Sequence, residues 1–367
     1  MFVHGNILGF RNYANQLKAY CETRDDIDAV HIDLVAPLWM KVVGKSLPVP
    51  AGWDFHQYRY VHLWSWVLWR WFHAKLILQH FDLIHIMTQV NAGVIPRLRK
   101  LSKALRLVVN IDATGQQLIN NFGYSPIAHK LMVRAERRIL GAADLIVCRS
   151  AWAGQSLVTD LSLPENRIHV APNSMHVPEV SAWDPRFQSH RREMARLVFV
   201  GSAWKRKGGD LVLNVHQHHF ADRAELHIVG SRRQRYSNVR NVIWHGYIPR
   251  EQLLNEVLPT MDVFLFASRE DMLPWAALEA ASLGLPVIAS DLAAIKYIVL
   301  HGKTGLLFKP GDVASLTTCI SKLVEDRELR ETMGKAGRAH VQSHYNPDVT
   351  YPNVLDRLVA LVDRHQR

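Results

Sequence analysis

Cysteine is nearly absent from the chain. Cys21, Cys148 and Cys319 stand far apart and odd in number among 367 residues, so neither a disulfide framework nor a zinc knuckle is indicated. Long apolar runs are missing as well. No stretch of about 18 apolar residues occurs, and no membrane-spanning helix is expected. The start, Met1-Phe2-Val3-His4-Gly5, lacks the basic residues and apolar stretch of a secretory leader. The expectation is therefore a cytoplasmic protein. Acidic residues are scarce relative to basic ones: 33 Asp and Glu against 44 Lys and Arg leave a net charge of +11. That balance favours anionic partners, whether nucleic acid, anionic lipid or phosphorylated substrates. The basic residues are spread along the chain and no nucleic-acid motif accompanies them, so nucleic acid is not expected.

What is present describes a globular protein: hydrophobic residues make up 48% and the 16 prolines are scattered. The length suits two domains of about 150 residues each. Strand and helix signals alternate throughout, the pattern of a parallel doubly wound α/β sheet. Phe2-Val3-His4, Asp82 to Ile86, Arg106 to Ile111 and Leu145 to Cys148 read as strands of the first half. Leu197 to Gly201, Leu226 to Gly230, Val242 to Gly246, Val263 to Phe266, Val287 to Ser290 and Gly305 to Phe308 read as strands of the second.

The most informative stretch follows the apolar run at Val263. Ser268-Arg269-Glu270-Asp271-Met272-Leu273-Pro274 reads as an acidic loop. Pro274 stands where a helix would begin, because its missing N–H is one the first turn cannot use. Asp271 then lies in the loop and Glu279 about one turn inside the helix. A helix start attracts phosphate, whereas carboxylates suit sugar hydroxyls. Together they suggest a nucleotide-sugar pocket.

Asp271 to Glu279, Ala280 and Gly284-Leu285-Pro286-Val287 resemble the signature of retaining glycosyltransferases of family four. The resemblance implies the GT-B fold, two doubly wound Rossmann-like domains facing each other across a cleft. It divides the chain into an acceptor domain over 1–178, a donor domain over 195–340 and a C-terminal helix over 341–367 that packs back on the first domain. It also implies metal-independent transfer of a sugar from a UDP- or GDP-sugar to a hydroxyl acceptor, with no cofactor beyond the donor itself. The pair Asp271 and Glu279 is not the Asp-x-Asp arrangement with which metal-dependent transferases hold their cation.

Further segments extend the resemblance. Gly201 to Gly208, with Arg206 and Lys207, is similar to the family's Gly-Arg-x-x-x-x-Lys-Gly, whose cations hold the donor diphosphate. Ser202 stands where the first Arg is expected, and Arg206 is a candidate to replace it. The same cluster also reads as a solvated basic loop. Gly9, Tyr13 and Leu17 resemble a Gly-x-x-x-Tyr-x-x-x-Leu motif that places Gly9 in a loop before a helix over about 12–20. Asp112 takes the place of a family His that reaches the transferred sugar; it is either a hydroxyl acceptor in the same role or an Asx-turn residue capping its loop. Gly230, Tyr247 and Ile248 correspond to the surroundings of base and ribose, and Met272 and Leu273 offer amides to the donor sugar. Ala293-Ala294 replace a usual Gly pair and Tyr297 a usual Glu. Asp271, Lys207 and Asp112 are thus the candidate catalytic residues. Arg206, Glu279, Gly9, Gly201, Ser202, Met272, Leu273, Gly230 and Tyr247 are the candidates for donor binding.

His216, His218 and His219 fall on different faces of a helix without a nearby carboxylate or cysteine, so no metal is expected. In the tryptophan-rich segment 61–78, helical periodicity places Leu63, Trp64, Val67, Trp71, Ala74 and Leu78 on the core side. Trp66 and Trp69 then share the opposite face with His62 and His73. Exposed indoles beside basic groups suit a membrane interface, and a lipid-linked acceptor would give that contact a purpose; packing under a loop or lining the acceptor site is the alternative. Two other functions stay open on sequence grounds. They are another GT-B enzyme, such as a phosphorylase or epimerase, and a nucleotide-sugar binder without turnover.

Overall fold

The computed structural model describes residues 1–5, 8–43, 55–75, 81–179, 181, 184, 193–231 and 239–366. The chain divides into two compact units, Met1–Ser174 with Pro347–Arg367, and Met175–Asn346.

In the first unit the order is β1 (Phe2–Gly5), α1 (Leu8–Glu22), β2 (His31–Leu34), α2 (Leu38–Val43), α3 (His56–Lys75), β3 (Leu83–Met87), α4 (Ile95–Leu101) and β4 (Arg106–Ile111). There follow α5 (Gly115–Phe122), α6 (Pro126–Gly141), β5 (Leu145–Cys148), α7 (Ala151–Thr159) and β6 (Ile168–Val170). The second unit holds β7 (Ala195–Val200), α8 (Gly209–Val215), β8 (Ala224–Val229), β9 (Val242–Gly246), α9 (Arg250–Gln252) and β10 (Val263–Phe266). It continues with α10 (Trp275–Ser282), β11 (Val287–Ser290), α11 (Ile295–Ile298), β12 (Gly305–Phe308), α12 (Val313–Glu325) and α13 (Arg327–His344). The last helix, α14 (Pro347–Gln366), belongs to the first unit again. It begins six positions after the start of the 341–367 segment expected from sequence and includes Pro352.

Each unit is built on a parallel six-stranded sheet, ordered β2-β1-β3-β4-β5-β6 in the first and β12-β11-β10-β7-β8-β9 in the second. Their apolar strands are buried on both faces. Val3, Ile84, Ile86, Leu107, Val109 and Ile146 face a core closed by Trp64, Leu68 and Phe72 of α3 and by Ile139 and Leu140 of α6. Phe2, Leu83, Met87, Val108 and Val147 face Tyr13 and Leu17 of α1 and Tyr351, Val354 and Leu358 of α14. One device starts the pairing in both sheets. Asp144, before β5, accepts the Leu107 amide of β4 at 2.7 Å; Asp262, before β10, accepts the Arg196 amide of β7 at 2.7 Å.

Three sequence expectations change here. The first helix begins at Leu8, so Gly9 lies in its first turn and not in a loop. β2 went unread because it is only four residues long, with the polar Asp33 exposed at the sheet's edge. The buried face of α3 is Val61, Trp64, Ser65, Leu68 and Phe72, rotated from the face assigned by periodicity. Ser65 donates to the Gly93 carbonyl at 3.0 Å, and a Cβ on Gly93 would lie 2.6 Å from the Val61 carbonyl oxygen. Small residues on both sides draw this face inward. Trp69 is consequently half-buried against the core, with the Arg97 guanidinium 5.7 Å from its ring. Trp66 stays exposed. Ala74 and Leu78 lie outside the described side chains.

The sheet of the first unit also buries histidines. His4 meets His31 at 2.8 Å and His85 meets the Asn110 side-chain oxygen at 2.8 Å. Burial, helped by His31 and opposed by Asp33, brings His4 down to about 4; burial, opposed by the Asn110 bond, brings His85 down to about 3. In the unfolded chain both titrate near 6.5, so below that pH the unfolded state binds more protons. Stability should therefore fall as pH drops from about 6.5 towards 4, by about 1.4 kcal/mol per pH unit for each ring. Urea midpoints at about pH 7.5 and 5 measure this, and His85→Gln should remove one ring's share of the difference.

Candidate functional site

In the second unit the strand order reverses between β7 and β10, which lie side by side with Phe199 opposite Leu265. Loops leaving adjacent parallel strands at such a switch point form the ligand-binding crevice of open α/β sheets. Here they are the loop 201–208 and the loop 267–274. Gly208 makes their close approach possible. It has φ +76°, and a Cβ there would stand 1.9 Å from the Ala267 carbonyl oxygen. Between the loops the Arg269 amide donates to the Arg206 carbonyl at 2.8 Å, and the Arg206 guanidinium donates to the Glu270 carbonyl at 2.8 Å. The Arg269 guanidinium grips both carboxylate oxygens of Asp210, at 2.7 and 3.0 Å.

These contacts bring Lys207 and Asp271 into a direct ion pair, with Arg206 4.0 Å from the same carboxylate oxygen. The Lys207 ammonium also lies 5.3 Å from the centroid of Phe266. Lys207 is largely covered, whereas Arg206 is about half exposed. An ammonium has three donors, so Lys207 can hold a carboxylate and a further anion together.

The other donor-site candidates of this unit gather along the same edge. The Gly201 amide donates to Val229 at 2.9 Å, and its carbonyl accepts the Ser231 hydroxyl at 2.6 Å. Gly230, at φ +86°, packs against Gly201, where a Cβ would meet its carbonyl carbon at 3.2 Å. Ser202 is exposed. Tyr247 follows β9 and is 86% exposed. The Ala294 amide donates to the Met272 carbonyl at 3.3 Å. Its neighbour Ala293 holds φ +47°, a left-handed conformation that a glycine would adopt without strain. Leu273 is buried. Pro274 is the cap residue of α10, extended at ψ 117°, and the helix proper begins at Trp275.

Glu279 is 8% exposed on α10. Burial pushes its carboxyl up and Arg250 pulls it down, the guanidinium Nε donating to Oε1 at 2.6 Å. Arg250 escaped sequence reading, because nothing in Pro249-Arg250-Glu251 marks a partner on a helix 29 positions later.

Two candidates lie in the first unit. Gly9 is in the first turn of α1, and Asp112 follows β4. Asp112 does not cap α5: Thr114 does, accepting the Gln117 amide at 3.1 Å while the Gln117 side chain accepts the Thr114 amide. In the histidine run, His216 is buried with its ring bonded to the Ala224 carbonyl at 2.9 Å, a core contact.

Residues 13–174 match the model of the glycosyl transferase 4-like domain, and residues 195–326 match that of glycosyl transferases group 1. The chain belongs to the group 1 glycosyl transferases. It is 27% identical over 220 residues to a sulfoquinovosyl transferase of Arabidopsis thaliana, an alignment over 55% of this chain and 42% of that protein. The chain thus spans less than half the length of that relative. Its fold is that of the GT-B glycosyltransferases. It resembles sucrose-phosphate synthase from Thermosynechococcus elongatus with TM-score 0.73 and 18% identity over 99% of both chains. It also resembles the Anabaena protein HepE, solved in complex with UDP, with TM-score 0.68 and 14% identity over 98% of both.

Gly208→Ala would meet both a forbidden backbone region and the Ala267 carbonyl. It should destabilise the protein by about 2 kcal/mol or more, read from denaturant midpoints.

Proposed function

We propose that the protein is a retaining, metal-independent glycosyltransferase that moves a sugar from a UDP- or GDP-sugar to a hydroxyl acceptor in polysaccharide or other glycoconjugate synthesis. The observation that carries this reading is the cluster of Arg206, Lys207 and Asp271 on two loops meeting at the switch point of the second unit. In this reading Lys207 and Arg206 hold the donor diphosphate. As the glycosidic bond breaks, charge collects on the leaving phosphate, and cations fixed there favour the transition state over the ground state. Asp271, with the amides of Met272 and Leu273, takes hydroxyls of the transferred sugar. Glu279, one oxygen held by Arg250, takes the ribose hydroxyls with the other. The Gly201 and Gly230 turns let backbone approach the nucleotide, and the exposed Tyr247 ring is available to its base. Attack occurs from the face that the leaving group departs, whose phosphate accepts the acceptor's proton. The UDP carried by the Anabaena neighbour makes uridine donors the first to try.

Lys207→Ala should reduce kcat/KM by about 1.5–3 kcal/mol, the scale of one charged hydrogen bond. Glu279→Gln should weaken nucleotide binding, whereas Asp271→Asn should lower turnover more than affinity. Turnover should persist in EDTA. Unchanged turnover in Lys207→Ala, or EDTA inactivation reversed by Mn²⁺, would refute the reading. Slow donor hydrolysis by the wild type separates an enzyme from a binder.

The acceptor, in this reading, is lipid-linked, and the first unit rests on an anionic membrane at the inner face. Leu38, Trp39, Val42 and Val43 of α2 are exposed, and Trp39 meets the exposed Trp66 edge-to-face with centroids 6.1 Å apart. The Arg70 guanidinium lies 5.3 Å from the Trp66 ring. Residues 35–43 and 55–75 contain no Asp or Glu but carry Lys41, Arg59, Arg70 and Lys75. An apolar patch with aromatic rings and only positive charge complements an anionic bilayer surface. Among the described residues no helix is long and apolar enough to cross one. Trp39→Ala with Trp66→Ala should lower cosedimentation with phosphatidylglycerol liposomes while nucleotide binding is kept. Wild-type protein that stays in the supernatant at low salt would end this part of the proposal.

A further inference from the structure

Arg149 is the bulkiest fully buried side chain among the described residues, 1% exposed. Its guanidinium lies 3.8 Å from the centroid of the Tyr13 ring, and Nη1 reaches the Ala171 carbonyl at 3.5 Å. Among the described residues Nε and Nη2 meet no acceptor. A guanidinium does not shed its proton in a protein, so a buried one needs a counter-charge. Burial works against the cation here, while Tyr13, Asp112 and Tyr351 together outweigh it.

The carboxylate among those groups is Asp112, and strand register brings it there. β4 and β5 pair Ile111 with Cys148, and the Arg149 amide donates to the Ile111 carbonyl at 3.1 Å. Asp112 and Arg149 are therefore the next positions on two neighbouring strands at the carboxyl edge of the sheet. The Asp112 side chain accepts no hydrogen bond among the described residues. Burial pushes its carboxyl up and outweighs the opposing pull of Arg149, the one charge that lowers it.

We propose that Arg149 is a positioning residue for Asp112: its buried guanidinium supplies the counter-charge that keeps Asp112 a carboxylate, ready to accept a sugar hydroxyl. The inference rests on the sequence-based expectation that Asp112 accepts a hydroxyl of the transferred sugar. A neutral side chain at position 112 would need no such cation, and Arg149 would then be an unmatched buried charge. Each residue of the pair accounts for the other. Among the described residues the other titratable groups around the pair are Tyr13 from α1, Tyr351 from α14, His85 from β3 and Cys148 from β5. Burial pushes the Tyr351 phenol up, so it stays neutral while Asp112 is followed; burial, with Arg149 adding to it, brings His85 down to about 3, so its ring is followed in the same titration.

The test is a pH titration of carboxyl-¹³C-aspartate protein, with the Asp112 resonance assigned by its loss in Asp112→Asn. Arg149→Met should raise the Asp112 midpoint by about 1–3 pH units, the shift expected when a neighbouring opposite charge is removed. Arg149→Lys, which keeps the charge, should hold the midpoint near that of the wild type. Equal midpoints in wild type and Arg149→Met overturn the proposal. If Arg149→Met does not fold, the double variant with Asp112→Asn should recover folding, because it removes the unmatched carboxylate. A double variant that remains as unfolded as Arg149→Met also overturns it. Hydrolysis of UDP-glucose is the second readout: its acidic limb should move upward in Arg149→Met with the NMR midpoint. Wild-type hydrolysis by Asp112→Asn would instead remove Asp112 from the sugar, a failure of the underlying reading that the titration alone would not produce.

Discussion

Parallel pairing of β7 with β10 forces two loops onto one sheet edge, and the donor-site reading depends on that constraint. In a parallel sheet every strand delivers its following loop to the same side. Where the winding reverses, the two loops have no intervening strand between them. Gly208 completes the approach by letting the first loop reach the Ala267 carbonyl. Lys207 and Asp271, 64 positions apart, then form one charged group. Without that pairing the loop 205–207 would be three solvated cations and Asp271 an ordinary turn acid.

The two units use their sheet edges differently. In the second, charge is partly exposed: Arg206 reaches solvent while Lys207 and Asp271 neutralise each other. Such a pair can exchange partners with an anion at modest desolvation cost. In the first, charge is sealed inside. Arg149 stacks on Tyr13, and Tyr13 packs against Tyr351 of α14 with ring centroids 5.2 Å apart. The C-terminal helix thus helps to exclude water from the arginine next to Asp112, which strengthens any electrostatic coupling between them.

The strands of the second half were legible because buried parallel strands are short apolar runs bounded by glycine and polar loops. β9, β10, β11 and β12 coincide with the segments read from sequence, and β7 and β8 differ by two residues or fewer at either end. The first half was harder. β2 is short and polar at the edge, and α1 begins at Leu8, before the Gly9 that was expected in a loop. On α3 the many tryptophans satisfied more than one helical face, so periodicity alone could not choose between them. The contact of Ser65 with Gly93 chose.

Local pattern thus determined that this chain makes alternating strands and helices, and spaced motifs determined its family, the loops that carry Lys207 and Asp271, and the helix that carries Glu279. Those signals are local because hydrophobic period, turn chemistry and short motifs act within a few residues. The partners were decided by tertiary structure: Arg250 for Glu279, Lys207 for Asp271, and Trp39 for Trp66. Each pair joins positions from different elements, brought together by strand register, helix rotation or loop approach. A single sequence has no period or spacing that records such contacts, because they exist only once the sheets have closed.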